Sequence, residues 1–468
     1  MARKTKIICT IGPASESLEM LEKLYNAGMN VVRLNMSHGD HDSHARVIRS
    51  IRTLNKKVKF PIPILMDTQG PEIRTGDIAN DLDLKSGAEI TITVRGSENV
   101  EETSIHVNYD DLIGSVDSGD KITVDNGLIN LEVLERQERT LRCRVIDGGV
   151  LGSKRHVNLP GIRVNLPAIT AKDRRDIAFA MEQELDFIAL SFVRKSKDIH
   201  ELREILGDKA NKIKVIAKIE DQEGVENLED IIDAADGVMV ARGDLGVEIN
   251  IELLPNVQRR MVRLCAEHGK RVIVATHLLE SMITNPVPTR AEVTDVANAI
   301  YEGADAVMLS GETTVGKYPI KCVEILDKIA KASEKEVGLE FHKGLRNDDD
   351  KQHLATATVQ LAEAIGVKGI VVITRRGFMA NMVTNCAPHR TPIYAFTNDP
   401  RTRRQLQLNR SVYPFRTEFS LDPEKTLTNA FETLKHKAGF MVGDQVVVIS
   451  DIIAGSGVDA VQVRVIPD

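Results

Sequence analysis

Residues 215–246 read VIAKIEDQEGVENLEDIIDAADGVMVARGDLG. Two short runs rich in β-branched residues, Val215–Lys218 and Gly237–Val240, flank an amphipathic helical pattern. Such a run, a helix and a second run make a parallel βαβ unit. Each run also ends in charge: Lys218 and Glu220 follow the first, Arg242 and Asp244 the second. Working outward, further strands are expected at Phe187–Ser191, Val272–Ala275 and Ala306–Leu309. Upstream the same rhythm gives strands at Lys6–Thr10, Val31–Leu34 and Pro63–Asp67, with helices at Ser17–Ala27 and Asp42–Leu54. From about Pro71 to Leu166 it gives way to period-two, turn-rich sequence. Strands are expected there at Glu89–Val94, Lys121–Val124, Leu128–Leu134 and Thr140–Ile146, with a turn at Asp125-Asn126-Gly127.

Three strands before the insertion and five after it make eight, the number that closes a (β/α)8 TIM barrel. A doubly wound open sheet is the rival, but no Gly-x-Gly-x-x-Gly follows a strand. The expected organisation is α/β: residues 1–70 and 167–340 as the barrel, and 71–166 as an inserted β-rich domain. Phe341–His353, with Asp348-Asp349-Asp350, reads as a linker. Residues 354–468 read as a C-terminal α/β domain with strands near Ile370–Thr374, Ile393–Phe396, Gln445–Ser450 and Ala460–Val465.

A chain of 468 residues, 42% hydrophobic, has length for several domains and a large core. Net charge of −7 and the lack of Trp argue against nucleic acid and anionic membranes. No stretch is apolar for long enough to span a bilayer, and the N-terminus lacks the pattern of a secretory signal. Five scattered cysteines without Cys-x-x-Cys suit a reducing compartment, so a cytoplasmic location is expected.

Chemistry on such a barrel gathers where strands end. Arg33, Asn35 and Ser37 follow the second strand; Asp67 and Thr68 end the third, with Arg74 just beyond; Ser191 ends the fourth. Lys218 and Glu220 end the fifth, Arg242, Gly243 and Asp244 the sixth, Thr276 the seventh, and Ser310, Gly311 and Glu312 the eighth. Glu220 and Asp244 suit a hard divalent ion, Mg2+ or Mn2+. Equally, they read as an ion cluster neutralised by Lys218 and Arg242. Arg33, Arg74 and Lys218 can hold phosphate or can be ordinary ion pairs. Gly243-Asp244-Leu245-Gly246 reads as a turn into a short helix whose free N–H groups favour anions, or as a plain cap. Cation holder, anion holder and lysine together fit phosphoryl transfer.

The chain resembles the pyruvate kinases in seven ordered segments. These are Arg-Leu-Asn-Met-Ser-His-Gly at 33–39, Asp-Thr-Gln-Gly-Pro-Glu-Ile-Arg-Thr at 67–75, Val-Asn-Leu-Pro-Gly at 157–161 and Ala-Lys-Ile-Glu at 217–220. The others are Met-Val-Ala-Arg-Gly-Asp-Leu-Gly-Val-Glu at 239–248, Thr-Arg-Ala-Glu-Val-Thr-Asp-Val-Ala-Asn-Ala at 289–299 and Met-Leu-Ser-Gly-Glu-Thr at 308–313. The resemblance implies transfer of the phosphoryl group of phosphoenolpyruvate to ADP, giving pyruvate and ATP in glycolysis. It implies that Arg33 and Lys218 contact the moving phosphoryl group, Lys218 also steadying the enolate. Glu220 and Asp244 would bind Mg2+ (or Mn2+), and the Gly243 and Asp244 backbone the substrate carboxylate. Thr276 would bond that carboxylate and join the relay that protonates the enolate. Asn35, His38, Arg74 and Arg155 would serve the nucleotide. Asn35, Ser37, Asp67 and Thr68 would hold K+, since Glu72 resembles the K+-dependent group. The inserted domain would act as a lid, and a homotetramer is implied. The chain ends at the C-terminal block, which gives the expectation of a compact bacterial form.

Some positions depart from the family pattern. Gln69 replaces a Lys, and Arg155-His156 replace Lys-Gly. His277 replaces a Gln, and reads as a satisfied structural histidine in preference to a tuner of the relay. The effector-phosphate loop, usually hydroxyl-rich, reads Thr374-Arg375-Arg376-Gly377-Phe378-Met379, and the later loop survives only in part as Ala454-Gly455-Ser456-Gly457. Fructose 1,6-bisphosphate in its usual pose is therefore not expected. The Arg pair reads as a solvated surface pair, or as a holder for another phosphorylated allosteric effector. A metal-dependent lyase acting on pyruvate and a non-catalytic effector-binding subunit are the rival functions. Retention of Lys218, Glu220, Asp244 and Thr276 weighs against the second.

Overall fold

The computed structural model describes residues 3–78, 80–94, 104–109, 111–125, 127–162, 166–346, 349–450 and 460–468. Among them, eight parallel strands close into a barrel. They are β1 (Lys6–Thr10), β2 (Val31–Asn35), β3 (Ile64–Asp67), β4 (Phe187–Leu190), β5 (Lys214–Ile219), β6 (Gly237–Ala241), β7 (Arg271–Ala275) and β8 (Ala306–Leu309). Each pairs with its sequence neighbour in the barrel, and β1 pairs with β8 to close the ring.

Closure follows from strands that are apolar on both faces. In β1, Ile8 points into the barrel while Ile7 and Cys9 pack outward under the helices. The inward set is Ile8, Val31, Leu65, Phe187, Ala189, Ile216, Met239, Ile273, Ala275, Ala306 and Met308. These side chains fill the barrel in layers, leaving a packed core with no pore. Leu408 of the C-terminal domain joins the same cluster, so that domain contributes to the barrel interior. The helices are held by local chemistry as well. Asp40, Thr170 and Thr289 each cap a barrel helix in a reciprocal capping box.

The insertion carries its own core and, among the described residues, a six-stranded sheet. Its strands include Glu89–Val94, Lys121–Val124, Ile129–Arg136 and Thr140–Asp147, near the expected bounds. Ser104–Val107 and the two-residue Val157–Asn158 complete the sheet, and Leu82–Leu84 pairs with Gly149–Leu151 beside it. Asn126 of the expected turn lies outside the described residues. So do Asp348 and the Ala454-Gly455-Ser456-Gly457 loop.

The C-terminal sheet runs Val412–Arg416, Ile393–Thr397, Gly369–Ile373, Gln445–Ser450, Ala460–Val465, the last strand antiparallel. The helix Asp350–Ile365 begins inside the stretch that reads as a linker. Asp349 accepts from the Lys351 N–H, so part of that acidic run is a helix cap. No helix among the described residues is long and apolar enough to cross a membrane.

Candidate active site

The ends of β2, β3, β4, β5 and β6 bring one charged cluster together. Arg33 of β2 donates from Nε to Asp67 Oδ2 at 2.6 Å and from Nη1 to Thr10 Oγ1 at 2.9 Å. Those two bonds fix the guanidinium plane. Lys218 Nζ lies 3.0 Å from Asp67 Oδ1 and 2.9 Å from Glu220 Oε1, and donates to Ser191 Oγ at 2.7 Å. Asp67 is fully buried and Glu220 is 1% exposed, so these contacts act at low dielectric.

Asp67, Glu220 and Asp244 set three carboxylates against two cations, Arg33 and Lys218. Burial alone would raise Asp67, but Arg33 and Lys218 outweigh it and hold its carboxyl below the usual range. Burial would lower Lys218, yet Asp67 and Glu220 keep its ammonium above its ordinary value. Burial pushes Glu220 up; Lys218 pulls against it, and Asp244 and Asp67 add to the rise. Asp244 is raised as well, again chiefly by burial. With all three carboxylates ionised the site would carry one negative charge in excess of Arg33 and Lys218, and the upward shifts of Glu220 and Asp244 oppose that full ionisation.

That excess fits a divalent cation, and the carboxylate oxygens of Glu220 and Asp244 are hard donors. Among the described residues no cluster of three or more His, Cys, Asp and Glu is placed to hold a metal. Two protein carboxylates would thus leave the other coordination positions to water and substrate oxygens. The reading in which Arg242 neutralises this pair is corrected. Its guanidinium turns away, donating to Thr276 O at 2.6 Å and Ala275 O at 3.1 Å and pairing with both Asp295 oxygens at 2.8 Å.

Gly243 and Asp244 lie in the first turn of the helix Arg242–Glu248, where N–H groups have no intrahelical acceptor. A Cβ at Gly243 would meet Thr276 Cγ2 at 2.9 Å, so only glycine allows this approach. Thr276 and His277 both sit in the left-handed region, at φ 71° and 55°. That backbone is costly for non-glycine residues, and the Arg242 bonds to the Ala275 and Thr276 carbonyls hold it. His277 is exposed, which corrects its reading as a satisfied structural histidine. Glu312, fully buried, accepts N–H bonds from Leu279 at 3.1 Å and Ser310 at 2.7 Å, tying the β7 loop to β8.

Asn35 stands opposite Asp67 in the β2–β3 register. Its Oδ1 accepts from the Ser37 N–H at 3.1 Å, while Thr68 Oγ1 accepts from the Ser191 N–H at 3.0 Å. Asn35, Ser37, Asp67 and Thr68 thus offer only oxygen donors, as a monovalent cation needs. Glu72 Oε2 accepts from Arg74 Nε at 2.7 Å and Gln69 Nε2 at 3.1 Å.

Of the four residues expected to serve the nucleotide, Asn35 and His38 share one backbone hydrogen bond, the His38 N–H donating to Asn35 O at 3.3 Å. Asn35 ends β2 and the exposed His38 follows it. Arg74 and Arg155 stand on paired segments at the base of the inserted domain, where the Thr75 N–H donates to Arg155 O at 2.8 Å. Arg155 Nη1 lies 3.4 Å from Asp125. His156 bridges to Arg74 in the backbone ladder, and its Nδ1 is 3.8 Å from Asp244 Oδ1. Burial lowers its imidazole.

Sequence reasoning left several contributors unassigned. Ser191 was visible as a strand end and Glu312 as a rim residue, but not what each would touch. Phe192, whose N–H donates to Glu220 Oε2 at 2.7 Å from a left-handed φ of 51°, has no sequence signal.

The chain matches the family model for the pyruvate kinase barrel domain over residues 2–323, and that for the pyruvate kinase alpha/beta domain over residues 352–464. It is 44% identical to a pyruvate kinase of Geobacillus stearothermophilus, covering 100% of this chain and 81% of the relative. Plastidial pyruvate kinase 2 of Arabidopsis thaliana is 43% identical, covering 96% and 78%. A pyruvate kinase of Staphylococcus aureus is 42% identical, covering 97% and 78%.

Proposed function

The chain belongs to the pyruvate kinase family, and on that premise we propose how its own residues carry out phosphoenolpyruvate + ADP + H+ → pyruvate + ATP. The observation that carries the assignment is the Lys218 ammonium, fixed among Asp67, Glu220 and Ser191 at the barrel mouth. Arg33, with Nε and Nη1 already engaged, presents its remaining N–H groups to the phosphoryl group being moved. Lys218 stays protonated throughout and stabilises the negative charge that develops on the enolate oxygen as the P–O bond breaks. The Gly243 and Asp244 N–H groups and the Thr276 hydroxyl orient the substrate carboxylate. Thr276 then passes a proton towards the enolate methylene carbon, completing pyruvate.

Glu220 and Asp244 would hold Mg2+ or Mn2+, which supplies Lewis-acid neutralisation of substrate carboxylate and phosphate oxygens. Asn35, Ser37, Asp67 and Thr68 would hold K+, with Glu72 leaving that charge to be supplied from solution. Asn35, His38, Arg74 and Arg155 would hold ADP. The domain at 71–166 would close over 1–70 and 167–340 to exclude water. A cytoplasmic homotetramer is part of the same reading. Regulation through 354–468 is too, with the Arg375–Arg376 pair as the place for a phosphorylated effector. Arg375 lies over the Phe419 ring at 6.0 Å, a contact that supports a surface role for it instead.

The test is steady-state pyruvate formation from phosphoenolpyruvate and ADP with Mg2+, with and without K+. Turnover that rises steeply with K+ is expected. No turnover from folded protein in any salt would shift weight to a metal-dependent lyase or a non-catalytic subunit.

A further inference from the structure

At the end of the barrel opposite the catalytic rim, a cavity of about 340 Å3 lies between barrel and C-terminal domain. Lys4, just before β1, lines it from the barrel side; Arg410 and His389 line it from the C-terminal domain. Arg410 is anchored through its backbone. Its N–H donates to Asp305 Oδ1 at 3.3 Å, and its carbonyl accepts from Thr384 Oγ1 at 2.5 Å. Its side chain is not so engaged. Nε is enclosed without a hydrogen-bond partner, and no carboxylate among the described residues pairs with the guanidinium.

Lys4 is similar. Among the described residues its Nζ donates only to the carbonyls of His389 at 3.0 Å and Glu334 at 3.3 Å. Burial and repulsion by Arg410 push this amine down to about 8, as expected for two cations that face one space. Six carboxylates also line the cavity, and five of them have partners of their own; Glu302 pairs with Arg259 at 3.2 Å, and Glu336 is the sixth. Glu334 takes the Lys4 and Thr5 N–H groups at 2.8 and 2.6 Å, and Glu363 those of Arg390 and Thr391 at 2.9 Å. Glu340 pairs with Lys343 at 2.7 Å, and Asp305 with Arg271 at 3.0 Å.

We propose that Arg410 and Lys4 bind the phosphate group of a small ligand in this cavity, bridging barrel and C-terminal domain. A guanidinium fork beside an ammonium matches phosphate oxygens in geometry and charge. The cavity has room for a small organic body attached to that phosphate. Neither Arg375, Arg376 nor any residue of the catalytic rim lines this cavity. A ligand there would touch both domains at once, and so bias how they are arranged.

The test is equilibrium dialysis of the full chain against labelled inorganic phosphate. The catalytic rim also binds phosphate, so the reading is which variant loses which site. Arg410→Gln should weaken one class of site by about tenfold or more while Arg33→Gln weakens the other. Lys4→Gln should mimic Arg410→Gln, and it decides the matter if Arg410→Gln does not fold. Changing both Arg375 and Arg376 to Gln should leave both classes intact. Stronger competition by glycerol phosphate than by unlabelled phosphate would identify a phosphorylated metabolite, and weaker competition inorganic phosphate itself. Binding that is unchanged in Arg410→Gln and Lys4→Gln, or lost only in the Arg375/Arg376 variant, overturns the proposal.

Discussion

Replacing Lys218 by Met keeps the side-chain volume and removes the charge. The ammonium lost is 3.0 Å from Asp67 and 2.9 Å from Glu220, both almost without solvent contact. Removing one partner of a buried pair typically costs about 3–5 kcal/mol, because the remaining charge has no compensation. Two carboxylates remain here, with Arg33 holding only Asp67. The same loss removes the cation aimed at the developing enolate. That is worth about 10³-fold or more in kcat, roughly 4 kcal/mol. The sign of the pH effect follows from the same groups. Without Lys218, burial and mutual repulsion raise the folded-state pKa values of Glu220 and Asp67. A raised carboxyl favours folding while protonated and loses that advantage as pH climbs from its unfolded value through its folded one. Lys218→Met should therefore approach wild-type stability near pH 5 and fall furthest behind at pH 8. Urea unfolding at both pH values and a coupled pyruvate assay measure the two effects. Turnover within tenfold of wild type, or a stability deficit that does not grow with pH, would refute the reasoning.

Other outcomes follow from the same geometry. Glu72→Lys should bring the ratio of rates with and without K+ towards one. It should also raise the KM for ADP, because Arg74 loses its 2.7 Å carboxylate partner; initial rates in tetramethylammonium buffer check both. Gly243→Ala should fold normally but lose about 10²-fold in kcat, since its Cβ would displace Thr276 from 2.9 Å; near-normal kcat would mean that this approach is not needed. Divalent-ion affinity should strengthen with rising pH and level off above neutrality, because the ion binds the ionised form of Glu220, whose pKa burial raises. Mn2+ binding followed by electron paramagnetic resonance reads this without turnover, and a flat profile would count against Glu220 as a ligand.

The barrel was legible because its strands are apolar on both faces and separated by capped helices. Their ends shifted by a residue or so, as between the expected Val215–Lys218 and the observed Lys214–Ile219, because the ladder with neighbouring strands sets them. Val412–Arg416 was missed because Pro414 argues against a strand. It is tolerated because that strand lies at the edge of its sheet. Leu82–Leu84 and Gly149–Leu151 are too short to leave a pattern. At the site, residue types at strand ends were readable; which charge meets which was not. Arg242 and Lys218 look equivalent in sequence, yet one clamps the Thr276 carbonyl and the other meets Glu220. That difference depends on side-chain direction across neighbouring strands, as does the insertion of Leu408 into the barrel cluster from a distant part of the chain.

Phosphorus-31 nuclear magnetic resonance of phosphoenolpyruvate with the purified chain, ADP, Mg2+ and K+ tests the central claim most directly. The account predicts that the phosphoenolpyruvate signal falls as the γ-phosphate of ATP rises in equal amount, only when ADP is present. A stable phosphoenolpyruvate signal, or phosphorus that appears as inorganic phosphate without ATP, would contradict it.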